Sequence, residues 1–321
     1  MKPSPTLSPE PDRMMPPVPA VLLIAFNRPA STLRVFEAIR RARPSRLFIA
    51  CDGPRPGKQG EAQKVEEVRA IARKVDWPCE VRTRYLEHNV GCGQGPAEAI
   101  AWFLAEAGEG VILEDDCVPE PAFFRFAAVM LERYRDEPQV GLISGSKMAP
   151  QVSLGACYGF SRLASCWGWA TWRRSWDGYD IRPAPVSVDE PWTKHFHRKM
   201  VRNLTRAVDD QQGSAAHAWD YQFMLHLLRK GMLTVIPDDN LVLNIGFDGS
   251  GTHFTNNRRP WWVPQAAFDV AETWDDRPPI VPHVAYDRYF QAVAHGGCGK
   301  FYRMVIKLIR LLRRLILPRE A

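Results

Sequence analysis

Three consecutive acids close a short apolar run in Val111-Ile112-Leu113-Glu114-Asp115-Asp116. In a strand, side chains alternate, so Glu114 and Asp116 are expected on one side and Asp115 on the other. Three carboxylates at one point repel one another. A divalent cation relieves that repulsion, and hard oxygen ligands suit Mn²⁺ or Mg²⁺. The plainer alternative is an acidic turn against the positive end of the next helix. Asp52-Gly53 ends a second apolar run and has the same two readings, a ligand-facing acid or a simple turn. Arg28 follows the first apolar run, where it could clamp a phosphate, stack on a base or stay solvated.

Other groups are less specific. Gly91-Cys92-Gly93-Gln94-Gly95 could let a ligand approach the backbone, but it is neither GxGxxG nor a P-loop. Trp167, Trp169 and Trp172 fall within six residues. Indole faces pack on sugar rings, although an aromatic core cluster would serve equally well. Asp220, in Trp219-Asp220-Tyr221, is a helix cap or a general base. His253 ends Gly249-Ser250-Gly251-Thr252-His253 and could ligate a metal or donate to a phosphate.

The elements that must position these residues alternate. Strands are expected at 18–26, 46–51, 79–86, 110–113 and 140–145, separated by helices near 31–41, 60–74, 96–107 and 121–135. Near-continuous apolar strands between helices mean βαβ units and an α/β, mostly parallel sheet buried on both faces. Beyond residue 147 the rhythm fades, with a helix at 219–230 and a strand at 233–236. The resulting layout is a Pro-rich tail at 1–17, a catalytic domain at 18–275 with halves meeting at 147/148, a linker at 276–297, and a basic amphipathic helix at 298–321.

The chain has 321 residues, long enough to bury a core without staples. Seven of its 42 basic and one of its 36 acidic residues lie in 300–321, leaving 35 of each elsewhere. A formally neutral body lacks the basic footprint that nucleic acid requires, so no nucleic-acid partner is expected. Seven cysteines without a CxxC argue against a disulfide framework or a zinc knuckle. Residues 1–19 lack an apolar signal core, and no stretch is long and apolar enough to span a bilayer, so a cytoplasmic location is expected. In 300–317, Arg303, Lys307, Arg310 and Arg314 share one helical face opposite an apolar one. This pattern suits an anionic membrane surface, at the inner face of the cell membrane, or a helix docked on the protein.

Taken together, LLIAFNRP, IACDGP, NVGCGQG, VILEDDCVPEPAFFRF, CWGWATW, WDYQF and NIGFDGSGTHF resemble the GT-A glycosyltransferases. The likeness is to bacterial family-2-like enzymes and, more distantly, to N-acetylglucosaminyltransferase I. It implies a Rossmann-like nucleotide-diphospho-sugar transferase fold. It also implies metal-dependent, inverting transfer from a nucleotide-diphosphate donor to a hydroxyl of a glycan or lipid-linked acceptor. By this resemblance Arg28, Asp52, Gly91, Glu114 and Asp115 belong to the donor site. Asp116 is the direct metal ligand with His253 in a late loop, Asp220 is the base, and the Trp cluster meets the acceptor sugar. Two alternatives use similar folds. A nucleotidyltransferase would need a basic pocket for an acceptor phosphate. A non-catalytic nucleotide-sugar-binding protein could dispense with Asp116 and Asp220.

Overall fold

The computed structural model describes residues 16–209, 218–247, 264, 273–294 and 304. The first half follows the expected rhythm closely. Strands β1 (Val21–Ala25), β2 (Arg46–Cys51), β3 (Glu80–Tyr85) and β4 (Glu109–Glu114) alternate with helices α1 (Pro29–Ala42), α2 (Glu61–Arg69) and α3 (Gln94–Ala107). A short strand β5 (Cys117–Pro119), helix α4 (Pro121–Arg133) and strand β6 (Val140–Ser144) complete that half. Pro29 and Pro121 open α1 and α4, where a missing N–H costs nothing.

The second half contributes strands β7 (Tyr158–Ser161) and β8 (Trp169–Trp172), helices α5 (Arg173–Trp176), α6 (Arg198–Asp209) and α7 (Asp220–Lys230), strands β9 (Leu233–Pro237) and β10 (Val242–Asn244), and helix α8 (Val284–Ala294). The eight-stranded sheet runs β3-β2-β1-β4-β8-β6-β9-β7. The pairs β2–β3, β1–β2, β1–β4 and β6–β9 are parallel, whereas β4–β8, β6–β8 and β7–β9 are antiparallel. Strand β8 therefore wedges between two strands of the first half, and the 147/148 boundary divides no sheet.

The pleat explains the unbroken apolar runs. Leu22, Phe48, Ile112 and Trp169 face the cluster under α3, α6, α7 and α8. Their neighbours Leu23, Ile49, Leu113 and Ala170 face the other cluster, under α1 and α4. A strand covered on both sides has no polar face to show.

One expectation is corrected outright. Residues 276–297, expected as a linker, carry α8, whose Tyr286 and Phe290 are buried in the core. The Tyr286 hydroxyl accepts from Met148 N at 2.9 Å, and buried Asp287 accepts from Ser161 Oγ at 2.6 Å. Pro-rich sequence suggests a linker there, yet Val284–Ala294 mixes apolar and polar residues as a half-buried helix does. Residues 1–15 and 305–321, with the tail and most of the basic helix, lie outside the described residues. No helix among the described residues is long and apolar enough to cross a membrane.

Candidate functional site

Parallel strands β1, β2 and β4 all end at one sheet edge, and each delivers a polar residue there. β1 leads to Arg28, β2 to Asp52, and β4 to Glu114-Asp115-Asp116. A crevice beyond the carboxyl ends of parallel strands is where open α/β sheets collect ligands.

The acids divide as alternation requires. One donor atom each from Glu114, Asp116 and Cys117 lies within 4.8 Å of the others. Asp115 instead is buried and paired with Arg28, whose Nε donates to its Oδ2 at 3.3 Å and whose Nη2 donates to its Oδ1. Arg28 also bridges to Asp116, with Nη1 3.1 Å from Oδ2. Asp115 thus serves the site by holding Arg28.

Burial is the largest influence on Glu114 and raises its carboxyl from 4.5 to about 8. The charges of Asp116 and Asp220 are part of that rise, and the Trp219 indole, whose Nε1 donates to Glu114 Oε1 at 3.1 Å, opposes it. Asp115 is raised to about 6 by burial, against the pull of Arg28. Such mutual repulsion is what a cation would relieve.

The donor set fits a hard divalent ion. Two carboxylates, Glu114 and Asp116, converge on one point. Burial pushes the Cys117 thiol well above 9, so it stays protonated and donates to Asp116 Oδ1 at 3.4 Å. Two carboxylates against one thiol favour a hard ion of the Mg²⁺ or Mn²⁺ kind.

Strand β10 closes the cluster from behind. It pairs antiparallel with β5, and Ile245 N donates to Asp116 O at 2.8 Å. Gly246 follows, where an added Cβ would stand 2.2 Å from Asp116 Oδ2. Only a residue without a side chain lets the carboxylate lie there.

Asp52 is fully engaged. Its Oδ1 accepts from Gly53 N at 2.8 Å and Val90 N at 3.0 Å, and its Oδ2 accepts from Asn89 Nδ2 at 2.8 Å and Gly91 N at 3.1 Å. Gly91 has φ 93°, which favours glycine. Asp52 therefore builds the loop from Asn89 to Gly91.

Asp220 opens α7 and is exposed. Its charge is felt by Glu114, by Cys92 of the glycine-rich loop and by Cys166. Three separate segments of the chain are thus brought beside the β4 acids. A carboxylate in the first turn of a helix interacts favourably with the positive end of the helix dipole.

The Trp cluster is largely corrected. Trp169 and Trp172 are 0% and 4% exposed. Trp169 stacks on Trp219 with ring centroids 5.6 Å apart, and Trp172 lies under the Arg174 guanidinium. As members of β8 both point into the layers and cannot meet a sugar. Only Trp167, at the bend before β8, is partly exposed, against Phe247. His253 lies outside the described residues.

Trp219, Gly246 and Cys117 were not singled out from the sequence. Trp219 had a usable signal, an indole donor immediately before the proposed base. Gly246 and Cys117 had none, because their relation to Asp116 arises through the β5–β10 pairing. A cavity of about 370 Å³, lined among others by Cys157, Asp238 and Trp274, shares no residue with the acidic cluster.

No family model matches the sequence, and no curated protein is detectably similar to it. Among solved structures the fold is distantly similar to UDP-glucose pyrophosphorylase in complex with UDP-glucose. That likeness has 8% identity and a TM-score of 0.32, and covers 68% of this chain and 90% of the other.

Proposed function

We propose that this protein is a GT-A-type glycosyltransferase that moves a sugar from a nucleoside-diphosphate donor to a hydroxyl of a glycan or lipid-linked acceptor, with inversion. The observation that carries the reading is the meeting of Glu114, Asp116 and Asp220, from β4 and α7, at one sheet edge.

Asp220 serves as general base. Its exposed carboxylate, beside the acidic cluster, accepts the acceptor hydroxyl proton as that oxygen attacks the anomeric carbon. The leaving nucleoside diphosphate carries growing negative charge. Glu114 and Asp116 would hold a Mn²⁺ or Mg²⁺ ion, which would supply Lewis-acid neutralisation of that charge. Arg28, fixed by Asp115 and turned to the same edge, gives a second positive charge toward the diphosphate. Asp52 supports the donor site by shaping the loop to Gly91. Trp167 is the remaining aromatic candidate for an acceptor ring. Residues 300–317 are proposed to approach an anionic membrane surface.

The test is a panel of nucleotide sugars with Mn²⁺, read by donor hydrolysis and, with acceptors, by transfer. Asp220→Asn is expected to lower turnover by ~10²–10⁴-fold while donor-induced thermal stabilisation persists. Near-wild-type turnover in that variant removes Asp220 as base. Binding without turnover in every combination removes the transferase reading.

A further inference from the structure

Helix α6 carries an unbalanced charge. From Pro191 to Val208 the sequence has Lys194, Arg198, Lys199, Arg202 and Arg206 and no acid. Arg198, Arg202 and Arg206 recur every fourth residue, so with Lys199 they occupy an arc of about 100° on the helix. All three arginines are exposed. The opposite side, Met200, Val201, Leu204 and Val208, is buried in the core.

Several arginines elsewhere on the surface are neutralised in place. Arg40, Arg55, Arg82, Arg84, Arg135 and Arg229 each hold a carboxylate. No ion pair involves the five basic residues of this stretch among the described residues. The acids flank the stretch and do not enter it: Asp189 and Glu190 precede it, Glu190 being held by Arg229, and Asp209 and Asp210 follow Val208 at the end of the helix. In a body with equal numbers of acids and bases, a local excess of this size means charge is segregated to one surface.

The position of the helix matters as well. α6 packs against α7, the helix that starts with Asp220. His197 N, just before α6, donates to Gln291 Oε1 of α8 at 2.9 Å. Lys300, first of the basic residues in 300–317, comes only six positions after the end of α8.

We infer that the exposed basic face of α6 is a docking surface for an anionic lipid bilayer. Because its apolar face is already spent on the core, the contact is electrostatic, without insertion. Each basic side chain near an anionic surface favours binding by about fivefold, and the effect fades as salt shortens the Debye length. Docking here would set the edge carrying Asp220 close to a bilayer and thus to an acceptor on a lipid. That last consequence rests on the proposed function. The lipid contact itself does not, since α6 contributes no residue to the acidic cluster.

The experiment compares the full chain with its R198E/R202E/R206E variant on vesicles of phosphatidylcholine alone and with 30% phosphatidylglycerol. The variant changes only exposed positions, and its melting temperature and donor hydrolysis in solution report that it is folded. Wild type is expected to sediment with anionic vesicles at about 0.1 M salt, to release at about 0.5 M, and to ignore neutral vesicles. The variant should lose at least about 10²-fold in partition. Equal binding by the variant assigns the contact to residues 300–317 alone and overturns the inference. Absence of wild-type binding overturns it too, as does equal binding to neutral vesicles. Retention of RNA without retention of anionic vesicles overturns it in favour of a nucleic-acid surface.

Discussion

The two halves of the chain solve different problems. Residues 18–147 build parallel strands whose ends present Arg28, Asp52 and the acid triplet, each reached directly from its own strand. Residues 148–294 add an antiparallel wedge, β8, and helices α6 to α8, which bring Asp220 alongside. In the first half, position along a strand decides where a side chain points. In the second, packing against the first decides it. The same residue type thus has opposite meanings. Aspartates at strand ends gather at one edge of the sheet, while tryptophans inside β8 are core.

The largest effect should separate those meanings most cleanly. Trp169→Ala removes a fully buried ring and is expected to lower stability by ~3–5 kcal/mol, measured by denaturant unfolding. Trp167→Ala, at a half-buried ring packed on both core clusters, should cost less stability than Trp169→Ala and act on acceptor use as well. A destabilised Trp167→Ala with unchanged kinetics would return that residue to the core as well.

Gly246→Ala tests the dependence of the first half on the second. Its Cβ cannot share space with the Asp116 carboxylate, so Mn²⁺ affinity should fall ~10–100-fold with the fold retained. Unchanged affinity would show that Asp116 ligates from another position.

Glu114→Gln probes the repulsion at the meeting point. The folded, metal-free protein keeps a proton on Glu114 up to about pH 8, whereas the unfolded chain releases it near 4.5. Proton binding therefore favours the folded state, and this contribution fades as pH rises from 4.5 to about 8. The variant should melt higher than wild type at pH 8, and the gap should shrink toward pH 5. A gap independent of pH would mean that Glu114 is not the group titrating.

The smallest effect concerns the link between halves. Trp219→Phe keeps the stack on Trp169 but drops the indole donor to Glu114, costing ~0.5–1.5 kcal/mol. Turnover should fall less than in Asp220→Asn. An equal fall would mean that Trp219 positions Asp220 as strongly as Asp220 acts.

Much of the first half could be read without coordinates. Continuous apolar runs flanked by Pro, Gly and Asp mark β1, β2 and β4 within a few residues, because local chemistry stops these strands. The opposed directions of Glu114 and Asp115 follow from the pleat alone. Strands β7, β8 and β10 could not be read, being three or four residues long and rich in aromatics that serve equally in loops. Helix α8 was hidden because Pro-rich sequence precedes it.

By itself, then, the amino-acid order determined an α/β sheet with acids at its carboxyl edge, since strand period and turn chemistry act over a few residues. Tertiary structure alone decided that Arg28 bridges Asp115 and Asp116, that Gly246 makes room for Asp116, and that Trp169 is core. Those outcomes depend on which distant strands become neighbours, and pairing between β5 and β10 or β4 and β8 joins segments separated by more than fifty residues.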